Sequence, residues 1–280
     1  MKTKKIHLGS LILRWLMILA AVLTAGALFF VLIYIIARGV PNLSSEGLFA
    51  WKYNSDNVSL MPALINTLVL TVISLLISVP LGMGAAIYLV EYAKKGNKLV
   101  KIIRVMAETL SGIPSIIYGL FGMIFFVTFL KWDYSIMAGS ATIAIMVLPT
   151  ILRTTEEALL SVPDSFREGS FALGAGKLRT IFKVVLPPAI PGILSGIILA
   201  IGRIVGETAA LLYTAGSATG NIKGLMSSGR TLAVHMYIIS SEGLHTEQTF
   251  ATAVILLVLV FLMNELSSFV AKRLVKKTGK

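Results

Sequence analysis

The sequence predicts an all-α, polytopic membrane protein. Three observations carry this. Hydrophobic residues make up 56% of the 280-residue chain and charged residues only 14%, against roughly 25% charged in a soluble domain. Six apolar stretches approach the length of about 20 residues that a helix needs to cross a bilayer core about 30 Å thick. Basic residues cluster in alternate connections between those stretches.

The first span, Trp15–Ala37, follows Lys2, Lys4, Lys5 and Arg14. Its apolar run is too long for a signal-peptide core, and no small-x-small site ends it cleanly, so a retained helix is expected. Arg38–Met61 holds Pro41, Asn42, Ser44, Ser45 and Gly47 and reads as a turn-rich outer loop. Residues 1–38 are therefore expected to be a tail plus an accessory helix, and 39–61 a loop separating it from the rest. The second span, Pro62–Val90, carries Asn66, Thr67, Thr71, Ser74, Ser78, Gly82 and Gly84. Membrane helices associate through such small and hydroxylated side chains. Pro80 predicts a kink.

The third span, Met106–Leu130, contains Ser111-Gly-Ile-Pro-Ser115. Non-helical backbone at that depth needs protein or a water-filled cavity around it. The segment reads either as a packed kink or as a bend lining a pathway. The fourth span, Ser135–Leu152, is the shortest; Ala189–Tyr213 and Thr249–Ala271 are the fifth and sixth. Residues 62–271 then form a five-helix core, and 272–280 a basic tail. The fifth span has two rows of small residues, Gly192/Gly196/Ala200 and Gly202/Gly206/Ala210. A spacing of four stacks each row on one face, where a second helix can approach. This span is expected to be central.

The net charge of +12 invites a nucleic-acid reading, but its placement opposes one. Six spans put both termini on one side. That side holds nineteen basic residues, in the N-terminal tail, Lys94–Arg104, Arg153–Lys183 and the C-terminal tail; the other side holds five, Arg38, Lys52, Lys131, Lys223 and Arg230. The asymmetry assigns the basic side, with both termini, to the cytoplasm. The charge is topogenic, and no nucleic-acid partner is expected.

Chemistry is sparse. There is no cysteine, so neither a disulfide framework nor a cysteine metal site is expected. His7, His235 and His245 have no ligating spacing. Gly176-Lys177 is followed by Leu178, and Phe171 stands where the first glycine of a P-loop belongs. Glu156 and Glu157 are adjacent, so they do not face each other on a helix. Catalysis, a cofactor and a metal are all unexpected.

Two features remain. Arg203 and Glu207 lie in the fifth span, the arginine about 21 Å in from Ala189 at about 1.5 Å per residue. A charge that deep costs about 2.5–3.5 kcal/mol on insertion scales. At i, i+4 the two share a face and can pair. They read either as a packing salt bridge or as lining a polar pathway with Arg203 as anion contact, since guanidinium presents a planar fork to oxyanions. The second feature is Thr154–Pro191, the one long connection dense in both charge and helix signals. Thr154 with Glu157, and Ser165 with Glu168, fit the S/T-x-x-E capping box. Pro163 is expected to break the first helix, and Gly174 to end a second over Phe166–Leu173. A third amphipathic stretch, Leu178, Ile181, Phe182 and Val185, leads into Leu186-Pro187-Pro188. A helical module on the basic side suits a soluble partner.

Glu168-Gly169-Ser170, Ala172, Gly174, then Val184-Val185-Leu186-Pro187 resemble the EAA loop of the permease subunits of bacterial ATP-binding-cassette importers. Gly169 and Ser170 replace the two alanines and Val184 the isoleucine. Arg203-Ile-Val-Gly206-Glu207-Thr208, Ser111–Gly122 and Leu232-Ala-Val-His235-Met-Tyr237 are similar to the A-type permeases of phosphate importers. The resemblance implies a type I importer permease fold and a cytoplasmic EAA-type loop at 153–188 whose coupling helix docks on an ATPase. It also implies a substrate pathway touching Arg203, Glu207 and Thr208. The implied partners are a second, non-identical permease, two ATPase subunits, an extracytoplasmic phosphate-binding protein and the bacterial cell membrane. Rival readings are a permease for another oxyanion or phosphonate, an ion-coupled secondary transporter, and a non-transporting scaffold.

Overall fold

Apolar periodicity becomes helix along nearly the whole chain. The computed structural model describes residues 8–44, 47–54, 57–94, 96–220 and 223–278. Lys2, Lys4, Lys5, His7, Ser45, Lys95 and Lys280 lie outside the described residues, as do the side chains of Lys272, Lys276 and Lys277. In order, the helices are α1 Leu8–Gly39, α2 Met61–Ile87, α3 Lys98–Ser111, α4 Ser115–Gly122 and α5 Ile136–Leu160. They continue as α6 Asp164–Ala172, α7 Lys177–Thr180, α8 Leu186–Val205, α9 Ala209–Leu212, α10 Leu232–Glu242 and α11 Thr246–Thr278. Three π-helical turns extend them: Tyr88–Tyr92 after α2, Met123–Phe129 after α4, and Ile181–Val185 joining α7 to α8.

Five segments are long and apolar enough to cross a membrane, namely Gly9–Ser44, Met61–Tyr92, Ile136–Leu160, Lys177–Val205 and Thr246–Phe269. The pair α3 and α4 with its π-turn is apolar enough to make a sixth crossing if it counts as one broken span, and it is bent by 102°. The expected third span is therefore not one rod. Pro114 has no N–H to donate and pushes Ile113 away from helical geometry, so the chain restarts a helix there with Pro114 extended at ψ 140°. The fourth span runs on to Leu160, well past the expected Leu152, and the fifth starts at Lys177 and stops at Val205 rather than Tyr213. Pro80 sits inside α2 without ending it.

The centre of the bundle is α5, not the fifth span as expected. It packs on α2, α3, α4 and α8, and α8 lies between α5 and α11. Leu70, Tyr118, Ile143, Met146, Ile151, Ile204 and Leu211 form the main core. Small polar residues do the close work foreseen for α2. Thr67 and Thr71 return their hydroxyls to their own helix, on Ala63 O and Thr67 O at 2.7 Å, and Ser74 donates to Ser140 O on α5 at 3.1 Å.

The first row of small residues on α8 performs as expected. A Cβ on Gly196 would stand 1.9 Å from Thr154 Oγ1, and one on Gly192 2.7 Å from the Ala158 Cβ. The second row does not form. The helix ends at Val205, Gly202 faces open space, and Ala210 packs on Gly119 from the separate α9. α1 packs chiefly on α11 and on its own 3-10 turn, Val40–Ser44, and its most apolar stretch stays unburied.

Candidate functional site

A groove of about 920 Å³ runs along the bundle between α5, α8 and α11. Thr150, Thr154 and Glu157 line it from α5 and Ser161 from the position just after that helix, Ser195, Gly202 and Arg203 from α8, and Asn264 from α11. Ser161 is near α6; Arg203 is in the last turn of α8 at the far end. The carbonyl end of a helix favours a cation there. The Arg203 side chain is half-buried and makes no ion pair among the described residues. It lies within electrostatic reach of Tyr118. The Asn264 side-chain oxygen is buried without a hydrogen-bond partner.

Glu207 is elsewhere. The expected pairing with Arg203 assumed one continuous helix, and α8 stops between them. Glu207 is buried and accepts a hydrogen bond from Ala210 N at 3.1 Å, closing the start of α9. Thr208 is half-buried, sits at the cap of α9 and accepts from Leu212 N at 3.0 Å through its carbonyl. Of the three expected pathway residues, only Arg203 lines the groove. Thr150, Thr154, Ser195 and Asn264 were missed. Their signal was available: polar side chains at helical spacing inside apolar spans.

The second site is α6, on the turn between α5 and α7. Both expected capping boxes are absent. Thr154 lies inside α5 and donates to Thr150 O at 2.9 Å, and Ser165 is already within α6, whose cap is Pro163. The break at Pro163 and the stop at Gly174 are present. Gly174 has φ 77°, its N–H meets Phe171 O at 2.9 Å, and Ala175 N meets Ser170 O at 3.1 Å. This pair of bonds is the Schellman arrangement, and the left-handed residue within it suits glycine.

α6 buries none of its side chains fully. Phe166, Phe171 and Leu173 are exposed, Leu173 by 90%. Glu168, Gly169 and Ala172 are exposed beside them, and Ser170 reaches Thr180 at 2.8 Å. A hollow of about 670 Å³ lies against this face, lined by Ser165, Phe166, Gly169, Ser170, Leu173 and Arg179 among others. Leu186 and Pro187 are not on this surface; they are half-buried at the start of α8, where Leu186 packs with Val185 and Ala189. In the amphipathic stretch before them, Ile181 and Val185 are buried while Leu178 and Phe182 are exposed.

At the opposite end of the bundle, His235 on α10 is fully buried. Arg230 stacks over the Tyr53 ring at 4.5 Å, and the same ring meets His235 edge-on at 6.1 Å. Burial chiefly, and the Arg230 cation next, push the imidazole from 6.5 down to about 3, with the Val58 backbone opposing. Neither ring nitrogen has a well-formed hydrogen bond. Among the described residues no cluster of histidine and acidic side chains could hold a metal ion.

Helical crossings around a lengthwise groove, with a bare amphipathic helix at one end, suit a membrane permease. The chain belongs to the family of inner membrane components of binding-protein-dependent transport systems, whose pattern matches residues 78–278. It is a permease subunit of an ATP-binding-cassette importer. It is 36% identical over 242 residues to the probable ABC transporter permease protein YqgI of Bacillus subtilis, covering 81% of each chain. It is 34% identical to the phosphate transport system permease protein PstA homolog of Mycoplasma pneumoniae, across 94% of this chain but only 42% of that longer protein. Against PstA of Mycobacterium leprae it is 41% identical over 154 residues, 55% of this chain and 50% of that one. Among solved structures, a permease chain of the bacterial alginate ABC transporter superposes with a TM-score of 0.66 at 16% identity, covering 96% and 98%. One from the inward-facing MetNI methionine transporter gives 0.57 at 21% identity, covering 88% and 97%. At such identities these two speak for the fold alone.

Proposed function

We propose that this subunit imports inorganic phosphate, forming one half of a pathway whose other half is a second, similar permease. Its groove faces that partner. Arg203 supplies the anion contact, and the observation that carries this is a guanidinium on the wall of the groove with no ion pair among the described residues. A planar fork matches phosphate oxygens, and a single half-exposed arginine lets the ion leave again, as conduction requires. Thr154, Ser195 and Asn264 offer neutral polar groups along the way. Relatives at 33–41% identity that carry the phosphate-permease name support the choice of substrate.

α6 docks on one of two ATPase subunits through Phe166, Phe171 and Leu173, with Glu168, Gly169 and Ala172 beside them. A phosphate-binding protein delivers substrate at the end holding His235 and Tyr53. Both termini and α6 lie in the cytoplasm, with α1 as an accessory helix. ATP binding closes the ATPases, draws α6 with them and opens the groove outward. The test is uptake of labelled phosphate by the complete complex in vesicles, challenged with sulfate, molybdate and phosphonate. Phosphate uptake resistant to those competitors, and lost in Ala172→Glu together with ATPase co-purification, is the expected result. Stronger competition by another oxyanion would reassign the substrate. Normal co-purification in Ala172→Glu would remove α6 from the ATPase contact.

A further inference from the structure

α6 buries none of its side chains fully, and its polar ties include Ser170 to Thr180 on α7 and, to the ends of two spans, Arg167. Its Nε and Nη2 donate to one oxygen of Glu91 at 3.0 and 2.8 Å. Nη1 donates to Val162 O at 2.8 Å and to Asp164 at 3.2 Å, and Nη2 also reaches Leu159 O at 3.0 Å. The Arg167 side chain is 14% exposed and that of Glu91 7%. Glu91 sits in the π-helical turn that ends α2, and Leu159 and Val162 belong to the last turn of α5 and the link beyond it. One guanidinium therefore fastens α6 to the ends of the two helices that pack most closely at the centre of the bundle. Of the two carbonyls, Leu159 O belongs to the last turn of α5 and also accepts from Val162 N at 3.3 Å, and Val162 O lies in the link beyond it.

The same end of α5 forms the groove wall. Glu157, Ala158 and Ser161 line the groove, and Leu159 and Val162 lie between and beside them. A displacement of α6 has a short, polar and shielded path to that wall. We infer that Arg167 is a positioning residue that transmits α6 movement to α5 and α2, with Glu91 as its anchor; this rests on the reading of α6 as the ATPase contact. Both residues act through the helices and touch no substrate. The pair is shielded from water, so its charge-assisted bonds hold under load better than exposed ones.

The test uses the complete complex, with cysteines introduced at Leu160 and Ser165, both exposed and neither assigned to the ATPase contact, in a chain that has no native cysteine. Spin labels there report the distance between the end of α5 and α6. In the parent, adding nucleotide leaves one narrow distance population, because the two move together. In Arg167→Ala and Glu91→Ala the population broadens or splits on nucleotide addition, and phosphate taken up per ATP hydrolysed falls about tenfold or more. Arg167→Lys, which keeps the charge, recovers part of both readouts. Unchanged distances and an unchanged uptake-to-hydrolysis ratio in both alanine variants would overturn the proposal. So would a drop in complex yield that accounts for the whole loss of uptake at constant ratio. If instead Ala172→Glu leaves ATPase co-purification intact, the docking reading has failed, which is a separate result.

Discussion

Separating Arg203 from Glu207 gives the sharpest test. The perturbation is Arg203→Gln, Glu207→Ala and the double variant. Arg203 is half-buried and bonded to no acid among the described residues. Its neutralisation should change stability by no more than about 1 kcal/mol, the helix-end interaction it gives up, while abolishing phosphate uptake. Glu207 holds Ala210 N at 3.1 Å in a buried site. Losing a cap of that kind costs about 0.5–2 kcal/mol, a factor of roughly 2–30 in folded population. Uptake should fall only in step with the amount of complex. The residues share no partner, so the two stability losses should add to within about 0.5 kcal/mol. The assay pairs complex yield after mild heating in detergent with uptake per assembled complex. Recovery of yield or of uptake in the double variant, above either single by more than about fivefold (about 1 kcal/mol), would mean that the charges are a pair after all. The groove reading of Arg203 would then fail.

Other outcomes follow from single features. Gly196→Leu places a side chain where Thr154 already stands; overpacking costs about 1–3 kcal/mol or more, and the yield of folded chain should drop while Gly202→Leu, which faces open space, leaves it nearly unchanged. His235 is neutral when folded, with its value pushed from 6.5 to about 3. Its contribution is therefore complete above about 6.5 and is lost as pH falls from there toward 3. Melting temperatures at pH 7.5, 5.5 and 4.5 should fall less steeply in His235→Leu than in the parent; equal slopes would contradict this. Reporter fusions after Lys280 and near Lys52 should read opposite sides of the membrane, and the same side for both would break the six-crossing topology.

Number and approximate position of the spans were legible because hydrocarbon thickness imposes a length that composition alone reveals. Helix ends were not, because polarity was taken as a sign of water. The run Arg153-Thr-Thr-Glu-Glu157 looks like an exit from the bilayer, yet α5 continues through it to Leu160. Glu156 turns inward to Arg104 at 2.6 Å, and Thr154 and Glu157 face the groove. Polar residues satisfied by other protein groups, or by a polar cavity, do not end a helix. The stop after Val205 was equally hidden. Gly206 can continue a helix or end one, and what decides here is Glu207 turning back to close α9. Gly174 was legible because only local backbone geometry is involved. Arg167 was counted only for its charge, since its acceptors come from Glu91, far away in sequence, and from carbonyls that no side-chain pattern announces.

The π-helical turn Ile181–Val185 sets a rotational phase. A π-turn takes one more residue to close than an α-turn, and each residue of an α-helix advances its face by about 100°. The turn therefore fixes which side of α8 looks at α5 once α6 and α7 have been placed. If the same residues closed as plain α-helix, with none removed and nothing lost in hydrophobicity, the extra residue would no longer be absorbed and every later residue would turn by about 100°. Yet Gly196 would then swing away from Thr154, Ser195 would meet it instead, and Arg203 would leave the groove. A short irregularity beside α6 thus keeps time for a side chain at the far end of the molecule.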